Sequence, residues 1–236
     1  MTRLSRAVLA FVALAAVPAH AEDVASVASA TARALATQEL ERLASEPESA
    51  RRRSDEARLL HFLAEETRDE GERERIRSRG REVARRALAL GPDDPAAILW
   101  WTAHRGSEAS AWRPLEAIRI ASELERTLLR LRELDPGYDH AAADRVLGHL
   151  YRVAPEGISV GSLEKSERHL RAALARSPTY PGNLRAVAEL LHRRGRCAAA
   201  RQGAKVVLAS PELQRFPLER PGWLRGAKDL AARPCR

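Results

Sequence analysis

The sequence predicts an all-α protein: a right-handed solenoid of antiparallel helix pairs closed by a C-terminal capping helix. Three observations predict it. Alanine, leucine, arginine and glutamate dominate, aromatics make up only 4%, and β-branched residues are few, so helix formers are plentiful and strand formers scarce. An ending of apolar helix, short polar step and proline recurs at residues 87–92, 131–136, 173–178 and 207–211. Between these endings, small and large residues alternate at helical spacing, which lets one helix of a pair seat against the next.

Residues 1–21 read as an export signal. Arg3 and Arg6 form a basic start, residues 7–17 an apolar run, and Ala19-His20-Ala21 a small-x-small cleavage site. The run is shorter than the roughly 20 residues of a membrane-spanning helix, and no later uncharged stretch reaches that length, so no transmembrane segment is expected and the localisation is periplasmic or secreted. The two cysteines, Cys197 and Cys235, lie far from the apolar run, where a lipid-anchored protein would need one.

Residues 22–53 form a helical lead-in, with Val24, Val27, Leu35, Leu40 and Leu43 as its apolar positions. The repeats occupy residues 54–211. Leu59, Leu60, Phe62 and Leu63 mark the first helix, and the long charged stretch over residues 72–90 carries Ile76, Val83, Ala84, Ala87 and Leu88 on one face. Proline disfavours helical geometry in the residue before it, so the second helices of the pairs should end near Leu90, Leu134, Arg176 and Ala209. Leu147-Gly148-x-x-Tyr151 followed by Ser166, Leu170, Ala173 and Pro178 matches the tetratricopeptide pattern, and residues 184–207 repeat it around a Gly195 turn. The second and third units exceed the roughly 34-residue repeat. Their extra residues, 106–114 and 155–161, should emerge as loops or short helices on one face. Residues 212–236 comprise a linker and the capping helix, whose apolar stripe is Trp223, Leu224, Ala227 and Leu230.

A formal charge of +8 falls to about +6 without Arg3 and Arg6, and much of the excess sits after residue 190. An acidic partner or anionic lipid surface suits it, and a solvated basic face accounts for it equally well. Nucleic acid does not fit, because the basic residues lack interleaved aromatics for stacking on bases.

Leu134-Asp135-Pro136-Gly137-Tyr138-Asp139-His140, followed by residues 145–151 (Arg-Val-Leu-Gly-His-Leu-Tyr) and a Pro-Gly-rich insertion, resembles the T-component (TatT) family associated with TRAP transporters. The likeness continues through residues 161–166, Asn183, Ala188-Glu189 and the Gly195-Arg196 turn, and spans roughly residues 54–232. It implies a periplasmic tetratricopeptide-like protein that partners a solute-binding protein, with a ligand path through the helical array. The chain departs from the family in lacking a lipobox cysteine, in placing Ser162 where an acidic cap is usual, and in the insertion after Trp100-Trp101.

Residues 157–161 match the G-x-S-x-G nucleophile elbow, but that motif needs a strand before the serine and none is patterned here. The glycines more simply permit a tight loop before Ser162 caps the next helix. No H-x-x-x-H or H-E-x-x-H pair occurs among the histidines and no phosphate-binding glycine loop is present, so no metal, cofactor or catalytic residue is expected and the protein reads as non-enzymatic. Candidate binding residues are Trp100, Trp101, His104, Tyr138, Asp139, Arg145, His149, Tyr151 and Asn183. Adjacent tryptophans point about 100° apart on a helix, so one packs in the core while the other is free to line the concave surface with His104. Packing by both is the competing account. Around residues 138–151 the first helix of a pair would line the inner face, where Arg145 is able to hold a carboxylate bidentately. Packing of Tyr151 and local pairing of Arg145 explain the same residues. The readings that follow are an adaptor that holds a protein partner through its concave face, a direct binder of an organic acid or apolar ligand, a general periplasmic assembly scaffold unrelated to transport, and an enzyme, which lacks a visible nucleophile and base. Oligomeric state, including a homo-oligomer, stays open.

Cys197 and Cys235 are expected to form a disulfide, because a capping helix packed antiparallel on the preceding one returns its end beside the start of the other. Two inert thiols are the alternative. Closing this loop contributes about 3 to 4 kcal/mol in the chain-entropy model. Mass mapping of unreduced protein should find a peptide pair joined through Cys197 and Cys235; two alkylatable thiols would disprove the bond.

Overall fold

A computed structural model describes residues 20–109 and 114–234. Among the described residues the regular structure is helical, apart from a single bridge between Glu156 and Gly161. The helices are α1 (His20–Ala44), α2 (Ala50–Glu65), α3 (Glu70–Leu90), α4 (Pro95–Ala109), α5 (Pro114–Leu134), α6 (Tyr138–Val153), α7 (Leu163–Arg176), α8 (Pro181–Arg193), α9 (Cys197–Leu208) and α10 (Arg220–Ala232), with a 3₁₀ turn at Pro211–Arg215 before the last. Second helices of the pairs end at Leu90, Leu134, Arg176 and Leu208, each just before its proline step. None of the described helices is long and apolar enough to cross a membrane.

Side-chain caps set several starts. Ser49, Asp69 and Ser162 each accept a hydrogen bond from the backbone N–H three residues on, at 3.1, 2.7 and 3.2 Å, and Asp94 does the same for Ala97 at the head of α4. Gly195 turns α8 into α9 with φ +73°, a backbone region that disfavours any side chain.

The helices pack as antiparallel pairs, α2 with α3, α4 with α5, α6 with α7 and α8 with α9, and each pair packs on the next. The α6/α7 pair shows how the sequence accomplishes this. Gly148 has no side chain where Leu170 lies against it, Ser166 donates to the Gly148 carbonyl at 2.7 Å, and buried Asp144 accepts from His169 Nδ1 at 2.7 Å and Arg132 Nε at 3.0 Å. Three helices are thereby tied at one carboxylate. The central core joins Ile98 and Leu99 to Ile120, Leu128, Leu131, Leu147 and Tyr151.

The two ends of the array also meet. α10 packs on α9 and reaches α1. Ala28 joins a core of Tyr180, Leu213, Trp223 and Leu224, while Leu218 inserts beside Ala36, Leu43 and Leu59. The buried carboxylate of Glu66 binds Arg225 through both oxygens at 2.6 and 2.7 Å and accepts from Ser29 Oγ at 2.6 Å; Arg58 meets Glu219 at 2.8 Å. The C-terminal helix is thus a bridge to the start of the array as well as a cap on its last pair. Cys197 opens α9, is buried and is not a free thiol; its expected partner at position 235 lies outside the described residues.

The glycine at 148 supplies a test of the pair contact. A methyl added there would stand 2.5 Å from Leu170 Cγ and Cδ2, whereas at Gly106, also within a helix, the nearest atom is Leu124 Cδ1 at 3.5 Å. Gly148→Ala should lower stability by about 1–3 kcal/mol, and Gly106→Ala should be neutral or stabilising. Denaturant melts of the two variants give the comparison.

Candidate functional site

Between the second and third helix pairs the side chains fail to meet, and a cavity of about 710 Å³ remains. Short residues leave room in its wall: Ala103 and Gly106 on α4 and Ala117 and Ala121 on α5 all line it. Ile118, Leu124 and Leu128 of α5 and Val146 and Leu150 of α6 complete apolar walls, and the loop carrying Pro155, Ile158 and Ser159 runs along one side. Val153 and Ile158 line the cavity while being 54% and 70% exposed, which marks its mouth. No Asp, Glu, Lys or Arg lies among the described lining residues; its polar side chains are Thr102, His61, His149 and Ser159.

The two histidines are neutral at pH 7. Burial pushes His61, which touches the rings of Phe62, Trp100 and His104 and makes no hydrogen bond among the described residues, down to about 4. His149 is exposed and lines the cavity; desolvation by the surrounding protein, with the Arg152 charge added, lowers it to about 4. The wall therefore offers hydrogen-bonding groups without a formal charge.

A family model, TRAP transporter T-component, matches residues 23–189. The chain belongs to the TRAP transporter T-component family. No curated protein matches it. Membership gives this T-component a transport-associated role, and the matched residues include every described side chain that lines the cavity.

The nine residues expected to bind do not form one site. His149 lines the cavity. Trp100 packs 5.8 Å from His61 and 5.7 Å from Phe62, bridging two cores, and Trp101 borders a separate shallow hollow with Arg81, Arg85 and His104. His104 is buried, donates Nε2–H to the Ala57 carbonyl at 2.9 Å, and is lowered to about 4 by burial. Tyr151 is buried with its hydroxyl donating to Glu125 at 2.7 Å.

Tyr138, Asp139, Arg145 and Asn183 gather at the head of α6. Burial raises the Tyr138 hydroxyl to about 12. Asp139, His140 and Ala141 have φ of +44°, +57° and +62°, a left-handed turn that costs non-glycine residues about 1–2 kcal/mol each. Arg145 holds it by donating to the Asp139 carboxylate at 2.8 Å and to the carbonyls of Asp139 and His140 at 3.1 and 3.2 Å, with Asn183 Oδ1 at 3.4 Å. Fully buried Asn183 donates to the carbonyls of His140, Ala173 and Ser177, and the His140 ring stacks 4.2 Å from Tyr180. The Arg145 fork therefore already holds a carboxylate, that of Asp139.

Ser159 lies on the loop between α6 and α7 as expected, and its hydroxyl is enclosed without a hydrogen-bond partner among the described residues. A triad needs a carboxylate behind the histidine; behind His149 stands Arg152, whose Nη2 is 2.9 Å from Nδ1. A cation there weakens the imidazole as a base. The carboxylate-backed histidine, His169, belongs to the buried α6/α7 junction. What the sequence reading missed is the cavity; its signals were the small residues at 103, 106, 117 and 121 and the insertion at 155–161.

Because the folded His61 and His104 bind protons only near pH 4, while the unfolded groups do so at 6.5, their contribution to stability is complete above 6.5 and is lost as pH falls toward 4. Urea midpoints should drop across that window. His61→Phe should flatten the slope; an unchanged slope would show that His61 is not the group being charged.

Proposed function

We propose that this T-component is a non-enzymatic, exported binding protein that holds a small, largely apolar solute in the cavity between its second and third helix pairs and works alongside a periplasmic solute-binding protein. One observation carries the reading: a cavity of about 710 Å³ with apolar walls and no charged lining side chain among the described residues. That size lies within the range of small-molecule sites, which are commonly apolar with a few placed polar groups. An ionised dicarboxylate would shed its hydration there with no cationic side chain among the described lining residues to replace it, so hydrocarbon surface is the favoured cargo. The partner half of the reading rests on family membership. In this reading Trp100, Trp101, His104, Tyr138, Asp139, Arg145, Tyr151 and Asn183 serve packing and internal hydrogen bonds away from the solute, and His149 is the member of that group that meets it.

Gly106 faces the cavity with ordinary clearance, so a large side chain there fills space without breaking the fold. The environment-sensitive dye N-phenyl-1-naphthylamine should bind the wild-type protein at one site, and Gly106→Phe should weaken it at least about tenfold while the melting temperature changes little. Equal dye binding by both proteins would remove the cavity as the site.

A further inference from the structure

His149 carries more information than its neighbours in the cavity wall. A guanidinium has hydrogens and no lone pair to offer, so the 2.9 Å contact from Arg152 Nη2 is a donation into Nδ1. Nδ1 must then be unprotonated, and in the neutral ring the hydrogen sits on Nε2. Arg152 is itself held in place, mostly buried and paired with Glu189, which Arg185 also engages. The ring is thereby fixed as a donor. Its Nε2–H has no acceptor among the described residues, and the cation behind Nδ1 strengthens it as a donor. Nearby in the same wall the Ser159 hydroxyl is also without a partner. His149 is exposed, so solvent meets this donor in the empty cavity; an apolar ligand that displaces that solvent leaves the group unpaired unless it brings a matching acceptor, which favours a ligand carrying one.

Resting on the cavity reading above, we infer that His149 Nε2–H anchors a single oxygen acceptor, the carbonyl or carboxylate of an otherwise hydrocarbon molecule. Arg152 is the positioning residue that sets the tautomer. The rest of the molecule lies along the apolar wall formed by Ile118, Leu124 and Leu150.

A matched set of probes separates the contributions. Butylbenzene, butyrophenone and 4-phenylbutyrate share a phenyl ring and an alkyl chain and bear no acceptor, a neutral carbonyl and a carboxylate. On the full chain, each is titrated against bound N-phenyl-1-naphthylamine. Wild-type protein should prefer at least one oxygen-bearing probe to butylbenzene, and His149→Phe should weaken that probe about tenfold while leaving butylbenzene within about twofold. Preference for butyrophenone identifies a neutral carbonyl as the head, and preference for 4-phenylbutyrate a carboxylate; both support the assignment. Nitrogen-15 NMR of wild-type protein at pH 7 should show His149 protonated at Nε2, and Arg152→Met should mix the tautomers and erase the oxygen preference. Equal effects of His149→Phe on all three probes, or an Nδ1–H ring in the wild type, would overturn the donor assignment while the cavity stood. If no probe displaced the dye and Gly106→Phe left dye binding intact, the cavity reading itself would fail, and this inference with it.

Discussion

Short side chains at the helix contacts are the constraint on which the architecture depends. Where a glycine meets a side chain of the paired helix, as Gly148 meets Leu170 and Gly203 meets Ala188, two helices approach closely and the pair locks. Where short residues line the same region of two helices, as Ala103 and Gly106 of α4 and Ala117 and Ala121 of α5 do, the side chains leave space unfilled and a cavity stays open. The same alanine-rich composition thus produces both tight pairing and a hollow.

Charge is handled in an orderly way around this frame. The buried carboxylates of Glu56, Glu66 and Asp144 each receive at least one guanidinium, so the interior retains little uncompensated charge. The left-handed turn at residues 139–141 is the local strain this network sustains: Arg145 and Asn183 together bind the displaced carbonyls, and the stacked His140 and Tyr180 rings anchor the turn to the C-terminal aromatic group. Around the cavity, by contrast, ionic groups stand behind the wall. Arg152 reaches the lining through His149.

Much of the fold was legible because proline and helical spacing act locally. The stops at Leu90, Leu134 and Arg176 follow from the residues beside them, and Ser162 caps α7 as its sequence context indicates. Features set by distant partners were not. Asp139-His140-Ala141 contains no glycine to announce positive φ; the turn exists because Arg145 and an asparagine 38 residues beyond it hold it. The cluster at residues 138–151 lies on one helix, yet its members serve different ends even one turn apart, Arg145 reaching back to the strained turn and His149 lining the cavity. The contact of α10 with the start of the array left no sequence mark, since Glu66 at the end of α2 and Arg225 read as ordinary surface charges until the fold brings them together.

That last contact alters how the molecule should come apart. In an open array of repeats each unit leans only on its neighbours, so terminal units fray first and disorder spreads inward. Here the outermost helices lean on one another: α1 shares a core with Trp223, and Glu66 is held by Arg225. Neither end is terminal in the energetic sense, because loosening one exposes apolar surface on the other. Such closure converts a chain of separable modules into a single cooperative unit, in which amide protons of the first and last helices exchange by the same global opening as those at the centre.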